Sequence, residues 1–178
     1  MEERLRHILS IVNEWLKFAE AKNAALLAAN VAIVFAVLRI PDPETIYPQW
    51  LRTYVLLGVF LIAAAAILAL VSFIPEVKIP WLALRRQPSS KDNLLFYGDI
   101  ACYEPMSYLQ ALGARTTPAA DVFSSVEQDY AAQIIANSRI ALRKYACFTA
   151  AIWLTLTAVL SILGAILVYI VLRLARER

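Results

Sequence analysis

The side chains of this 178-residue chain that could do chemistry are few and scattered. His7 is the single histidine and lies among charged residues, so it cannot by itself build a metal site or a catalytic triad. Cys102 and Cys147 lie far apart, form no CxxC or zinc spacing, and read as two small, reduced, apolar side chains. Asp99 and Glu104 could in principle divide acid and base work between them. Nothing else in the sequence converges on that pair, and Gly98-Asp99 reads more simply as a turn. The phosphate-cradling patterns GxGxxG and GxxxxGK[ST] and the nucleophile pattern GxSxG are absent. These observations predict a protein that is not an enzyme and needs no cofactor or metal.

One group of polar residues does have helical spacing. Asp129, Gln133 and Asn137 recur every four residues, so they share a helix face, and Lys144 lies seven further on near the same face. Tyr130, Ile134, Ala141 and Tyr145 form a neighbouring stripe expected in a core. A polar stripe is ordinarily a solvated face. The sharper alternatives are a surface that binds something and a contact between subunits.

Composition dictates what must position these residues. Apolar residues make up 61% of the chain and charged residues 17%, against about 25% charged in soluble domains, so part of the chain does not face water. A net charge of +3 is too small to argue for nucleic acid. Residues 1–23 open with an amphipathic helix in which Leu5, Ile8, Leu9, Val12, Trp15, Leu16 and Ala19 share one face. That face can pack on another part of the protein or lie on a membrane surface. Residues 24–40 form the first predicted span. Its uncharged core, Ala24 to Leu38, is short, but Lys22 and Arg39 can snorkel outward. Asn30 is the one strongly polar group in it, expected to bond to a neighbouring helix.

Residues 41–52 are a proline-rich external loop, and residues 53–74 an uncharged second span closed by Pro75. Residues 75–145 are a helical segment outside the membrane. It starts with a basic, proline-broken linker, and Glu104 to Ala114 reads as a short helix with Pro105 in its first turn. Ser124 and Glu127 have the spacing of a capping box. Residues 146–172 are the third span and residues 173–178 a basic tail. No Gly or Pro interrupts Ser125 to Ala146, so that stretch and the third span can form one rod of about 48 residues, or ~70 Å. The fold class is therefore all-α, a multi-pass membrane protein with three transmembrane helices. Ala24, Ala28, Ala32 and Ala36 form one ladder of small residues, and Thr157, Ser161 and Ala165 a second. Such ladders let helices approach closely in lipid and predict a homo-oligomer.

Lys and Arg settle the expected sidedness. Four precede the first span and eight lie between the second and third, 4 + 8 = 12. Two flank the connection between the first and second spans and three follow the third, 2 + 3 = 5. The excess places the N-terminus and residues 75–145 in the cytoplasm, although the tail RLARER runs against the trend.

Three segments together resemble a known family. WLKFAEAKNAALLAAN (Trp15 to Asn30) resembles its entry into the first span, and FYGDIA (Phe96 to Ala101) and QIIANSRIALRKY (Gln133 to Tyr145) resemble its two cytoplasmic signatures. The order of two spans, a cytoplasmic stretch and a last span also matches. The family is that of the Pycsar transmembrane effectors (PycTM-like proteins) of bacterial anti-phage defence. The resemblance implies a bacterial inner-membrane protein that responds to a cyclic pyrimidine mononucleotide, cCMP or cUMP, made by a partner cyclase, and that then impairs the membrane. The chain shows no β-barrel of the kind that binds cyclic nucleotides, so sensing must use helices and loops. A nucleotide phosphate then points to Arg143 and Lys144 at the basic end of the long helix. The base points to the amides of Gln133 and Asn137, and a ribose hydroxyl or base amine to Asp99. The competing readings are a membrane anchor or scaffold for a cytoplasmic partner and a small transporter or channel subunit. None of the three spans carries a buried charge, which counts against a transporter.

Overall fold

A computed structural model describes residues 1–39, 48–74, 86–115 and 122–177. Among the described residues five helices follow in chain order: α1 (Glu2–Leu38), α2 (Gln49–Val71), α3 (Tyr97–Ile100), α4 (Pro105–Ala114) and α5 (Ser125–Arg176). No strand occurs among the described residues. α1, α2 and α5, of 37, 23 and 52 residues, are each long and apolar enough to cross a membrane. The proline-rich connection at 40–47 and most of the basic linker, 75–85, lie outside the described residues, as does the loop at 116–121.

The chain divides into two compact units. A head unit combines Met1–Ala21 with Pro75–Ala146, and a span unit combines Lys22–Ile74 with Cys147–Arg178. α1 and α5 each supply residues to both.

The head is built on the amphipathic start of α1. Glu2 and Glu3 in its first turn complement the positive end of the helix dipole. Leu5, Ile8, Val12 and Ala19 are fully buried, and the first three join Leu94, Ile100, Tyr103, Leu109, Ile134 and Ile135 in one core. Of the two placements open to this helix, packing on the protein's own segment is the one observed. The buried stripe is narrower than the apolar pattern, because Trp15 remains 38% exposed. At the start of α4, Pro105 occupies the first turn, where its missing N–H costs nothing, and Ser107 Oγ accepts from the Glu104 N–H at 3.2 Å. The capping box that opens α5 forms as expected. Glu127 Oε2 accepts from the Ser124 N–H at 3.0 Å, and Ser124 Oγ accepts from the Glu127 N–H at 3.2 Å. α5 then continues without interruption as the single rod anticipated above.

In the span unit, α2 buries Leu51, Gly58, Ile62, Ala65 and Ala69. Gly58 lies at a close approach: a Cβ there would overlap Ile162 Cδ1 and stand 2.6 Å from Ile162 Cγ1, so the end of that side chain would have to move. Asn30 is fully buried, and its Oδ1 accepts from Thr155 Oγ1 at 3.0 Å, so the polar group of the first span bonds to a neighbouring helix as expected. Ala24, Ala28, Ala32 and Ala36 are exposed on this unit, Thr157 is exposed, Ser161 half-buried and Ala165 buried.

Candidate functional site

FYGDIA folds differently from the turn expected of Gly98-Asp99: α3 is a single helical turn. The Phe96 ring lies over Gly98 so closely that a Cβ there would stand 2.5 Å from it. Asp99 accepts from the Asn93 N–H at 2.8 Å and from the Arg86 guanidinium at 2.8 Å. The same guanidinium reaches Asp92 at 3.0 Å. Asp99 and Asp92 thus hold one arginine between them, and the motif carboxylate is committed to fixing the segment that precedes α3.

Asp92 is the more enclosed of the pair, with a side chain 3% exposed. The Ser89 N–H, bonded to Oδ2 at 2.9 Å, holds its carboxyl below the usual carboxylate range, and the charge of Arg86 lowers it further. A lowered folded-state value stabilises the fold above the unfolded value near ~3.9 and loses that contribution as pH falls through the folded value. The thermal stability of the head is therefore expected to fall below about pH 4, and Asp92→Asn to make that fall shallower. Melting curves of both proteins from pH 7 to pH 3 check this; parallel curves refute it.

QIIANSRIALRKY occupies α5 opposite that segment. Arg139 donates to the carbonyls of Ala101 at 3.1 Å and Tyr103 at 2.9 Å and pairs with Glu104 at 2.9 Å. One side chain of the second signature therefore fastens the end of the first, a role that helical spacing does not announce because both partner carbonyls are backbone atoms. The aromatics complete the junction. Tyr97 and Tyr145 stack with centroids 5.0 Å apart, and Trp15 stands 5.7 Å from Tyr97 and 6.4 Å from Tyr145. Burial raises the hydroxyl pKa of both tyrosines. Trp15, Tyr97 and Tyr145 come from three segments far apart in sequence, and the head brings them into one cluster.

The polar stripe is also placed. Gln133 Nε2 donates to Asn137 Oδ1 at 2.9 Å, and Asn137 Nδ2 donates to Asn13 Oδ1 at 2.7 Å. Asn13 on α1 is thus a member of the set that the sequence reading did not include. The steps of seven and four residues between Arg6, Asn13 and Lys17 on α1's polar side were the signal available. Asp129 remains exposed. Lys144, expected to meet a phosphate, is instead 8% exposed at its side chain and bonded to Glu20 at 3.0 Å. Arg143, one residue earlier on α5, is half-buried. The structure therefore brings Gln133 and Asn137 together and places Asp99 and Lys144 in separate ion pairs. Among the described residues no three His, Cys, Asp or Glu side chains are grouped to hold a metal.

These features define a class: an all-helical membrane protein with three potential spans and a head joined by polar and aromatic contacts between its first and last helices. The chain belongs to the Pycsar effector protein domain family (PycTM), whose model matches residues 4–171. It is similar to the Pycsar effector protein PtPycTM of Propioniciclava tarda, at 27% identity over 173 residues, which covers 92% of this chain and 74% of that protein. No solved structure matches the chain.

Proposed function

We propose that this chain is a membrane effector of a nucleotide-signalled anti-phage system, gated by cCMP or cUMP from a partner pyrimidine cyclase and acting by impairing the bacterial inner membrane. The observation that carries the reading is the meeting of all three family-like segments in the head, at Trp15, Tyr97 and Tyr145. A gate needs a place where a ligand alters packing and an element that carries the change away. α5 runs from the capped Ser125 to Arg176, so one helix supplies residues to both the head and the span unit. A ligand shifts such an equilibrium only by its differential affinity for the two states. The head faces the cytoplasm, where the nucleotide is made. Copies of the chain associate through the exposed ladder of Ala24, Ala28, Ala32 and Ala36.

The test uses purified protein in liposomes carrying a potassium diffusion potential and a voltage-sensitive dye. Addition of cCMP or cUMP on the head side is expected to collapse the potential within minutes, while cAMP leaves it intact. No collapse with either pyrimidine nucleotide overturns the gating reading. Nucleotide binding without collapse favours the anchor or scaffold role instead.

A further inference from the structure

α1 keeps one face uncovered as it passes from the head into the first predicted span. Trp15, Phe18, Lys22, Ala25, Ala29 and Ala32 follow one another in steps of three and four residues, so they lie on one side of the helix. All are exposed except Lys22, which is half-buried. The alanines lie in the predicted span, where an exposed face meets lipid. The head continues the same stripe with aromatic side chains. Phe18 is 52% exposed, and the ring of Phe96, itself exposed, stands beside Trp15 with centroids 6.5 Å apart.

The length of α1 names the occupant of this face. The uncharged run from Ala24 to Leu38 has fifteen residues, or ~22 Å, against ~30 Å for a hydrocarbon core. At the far end Arg39 and then Asp42 close the run. The missing ~8 Å, about five residues, must therefore be found on the head side, back to Ala19. Glu20 is the one carboxylate in that stretch and is paired with Lys144 at 3.0 Å, while Lys22 can snorkel. Phe18 then falls at the edge of the hydrocarbon. Trp15 stands about 6 Å further out, in the headgroup layer where tryptophan and tyrosine concentrate.

We propose that Trp15, Phe18 and Phe96 form a lipid-facing patch that holds this part of α1 and the start of α3 in the headgroup layer of the bilayer. The occupant is lipid rather than a second copy of the chain. At Ala25 and Ala29 the stripe lies about 100° round the helix from Ala24 and Ala28, the small residues assigned above to association. The patch does not depend on the gating reading, because it follows from the exposed face and the length of α1.

Fluorescence quenching in liposomes tests it. In a variant that keeps Trp15 alone (Trp50→Phe, Trp81→Phe, Trp153→Phe), phospholipid brominated in the upper acyl chain is expected to lower the emission by about half, and iodide in the buffer to have little effect. Phe18→Asp in that background is expected to raise quenching by iodide at least about twofold. Should the triple variant fail to fold, the difference in emission between the native protein and Trp15→Phe reads the same side chain. Efficient quenching by iodide with no effect of brominated lipid places Trp15 in water and overturns the proposal. Protection from both quenchers overturns it as well: protein then covers the face, and it is a second copy if dilution in lipid removes the protection.

Discussion

Tyr108→Ala is expected to destabilise the head by about 3–5 kcal/mol, a large share of the ~5–15 kcal/mol available to a typical domain. Tyr108 is fully buried in the head core, packs edge-on against Tyr103 at 5.9 Å, and donates its hydroxyl to the Leu94 carbonyl at 2.8 Å. Burial pushes its hydroxyl pKa far above the ordinary tyrosine range, so it remains a neutral donor throughout the physiological range. Truncation opens a cavity among Leu5, Ile100 and Leu109 and leaves a buried carbonyl unpaired. Tyr108→Phe keeps the ring and loses the hydrogen bond alone, at about 1 kcal/mol. Hydrogen exchange at the amides of α4 and the first turns of α5 reads the difference. Protection in Tyr108→Ala within about 1 kcal/mol of native contradicts this account of the core.

Gly58→Leu is expected to destabilise the span unit by about 1–3 kcal/mol through overpacking. A side chain at Gly58 enters the space held by Ile162, and in lipid no hydrophobic drive offsets the lost contact. Ala25→Leu adds a similar volume to an exposed position outside the alanine ladder, and its effect on the same unfolding transition is expected to stay within about 0.5 kcal/mol. The double variant Gly58→Leu with Ile162→Ala is expected to recover stability relative to Gly58→Leu alone. Titration with denaturing detergent measures these three variants, Ile162→Ala alone and the native protein. Additive losses at 58 and 162 exclude the proposed contact.

Patterns that depend on one helix were readable from the chain. The burial of Leu5, Ile8 and Val12, the Ser124–Glu127 box and the continuity of α5 follow from spacing within a single element. Pairings between elements were not. Nothing in the neighbourhood of Lys144 names Glu20 as its partner, and nothing near Asn137 names Asn13, 124 residues away. The ladders show a related limit. A step of four residues overshoots the 3.6-residue turn, so a four-step ladder drifts around its helix. The stripe that α5 buries is instead Ala151, Thr155, Ala158 and Ala165, with mixed steps of three, four and seven. Gly58, Ala65 and Ala69 in α2 have the same mixed spacing, and that was the better sign of close packing.

The head is assembled from the two ends of a long stretch of chain. Arg6 reaches Tyr130 and Asn13 reaches Asn137, each across 124 residues, and Leu5, Ile8 and Val12 share a core with Ile134 and Ile135. During synthesis, the apolar face of α1 therefore emerges from the ribosome long before the helix that covers it. Both α2 and the segment carrying α3 and α4 must be made first. Contacts this distant in sequence are slow to close, because the loop must form before any of them contributes. Until α5 arrives, the nascent protein presents an incompletely covered hydrophobic stripe, a target for chaperones and for aggregation. Premature termination before Ser125 removes the share of that core supplied by Ala131, Ile134 and Ile135, so truncated products cannot complete the head and are expected to be degraded rather than to act.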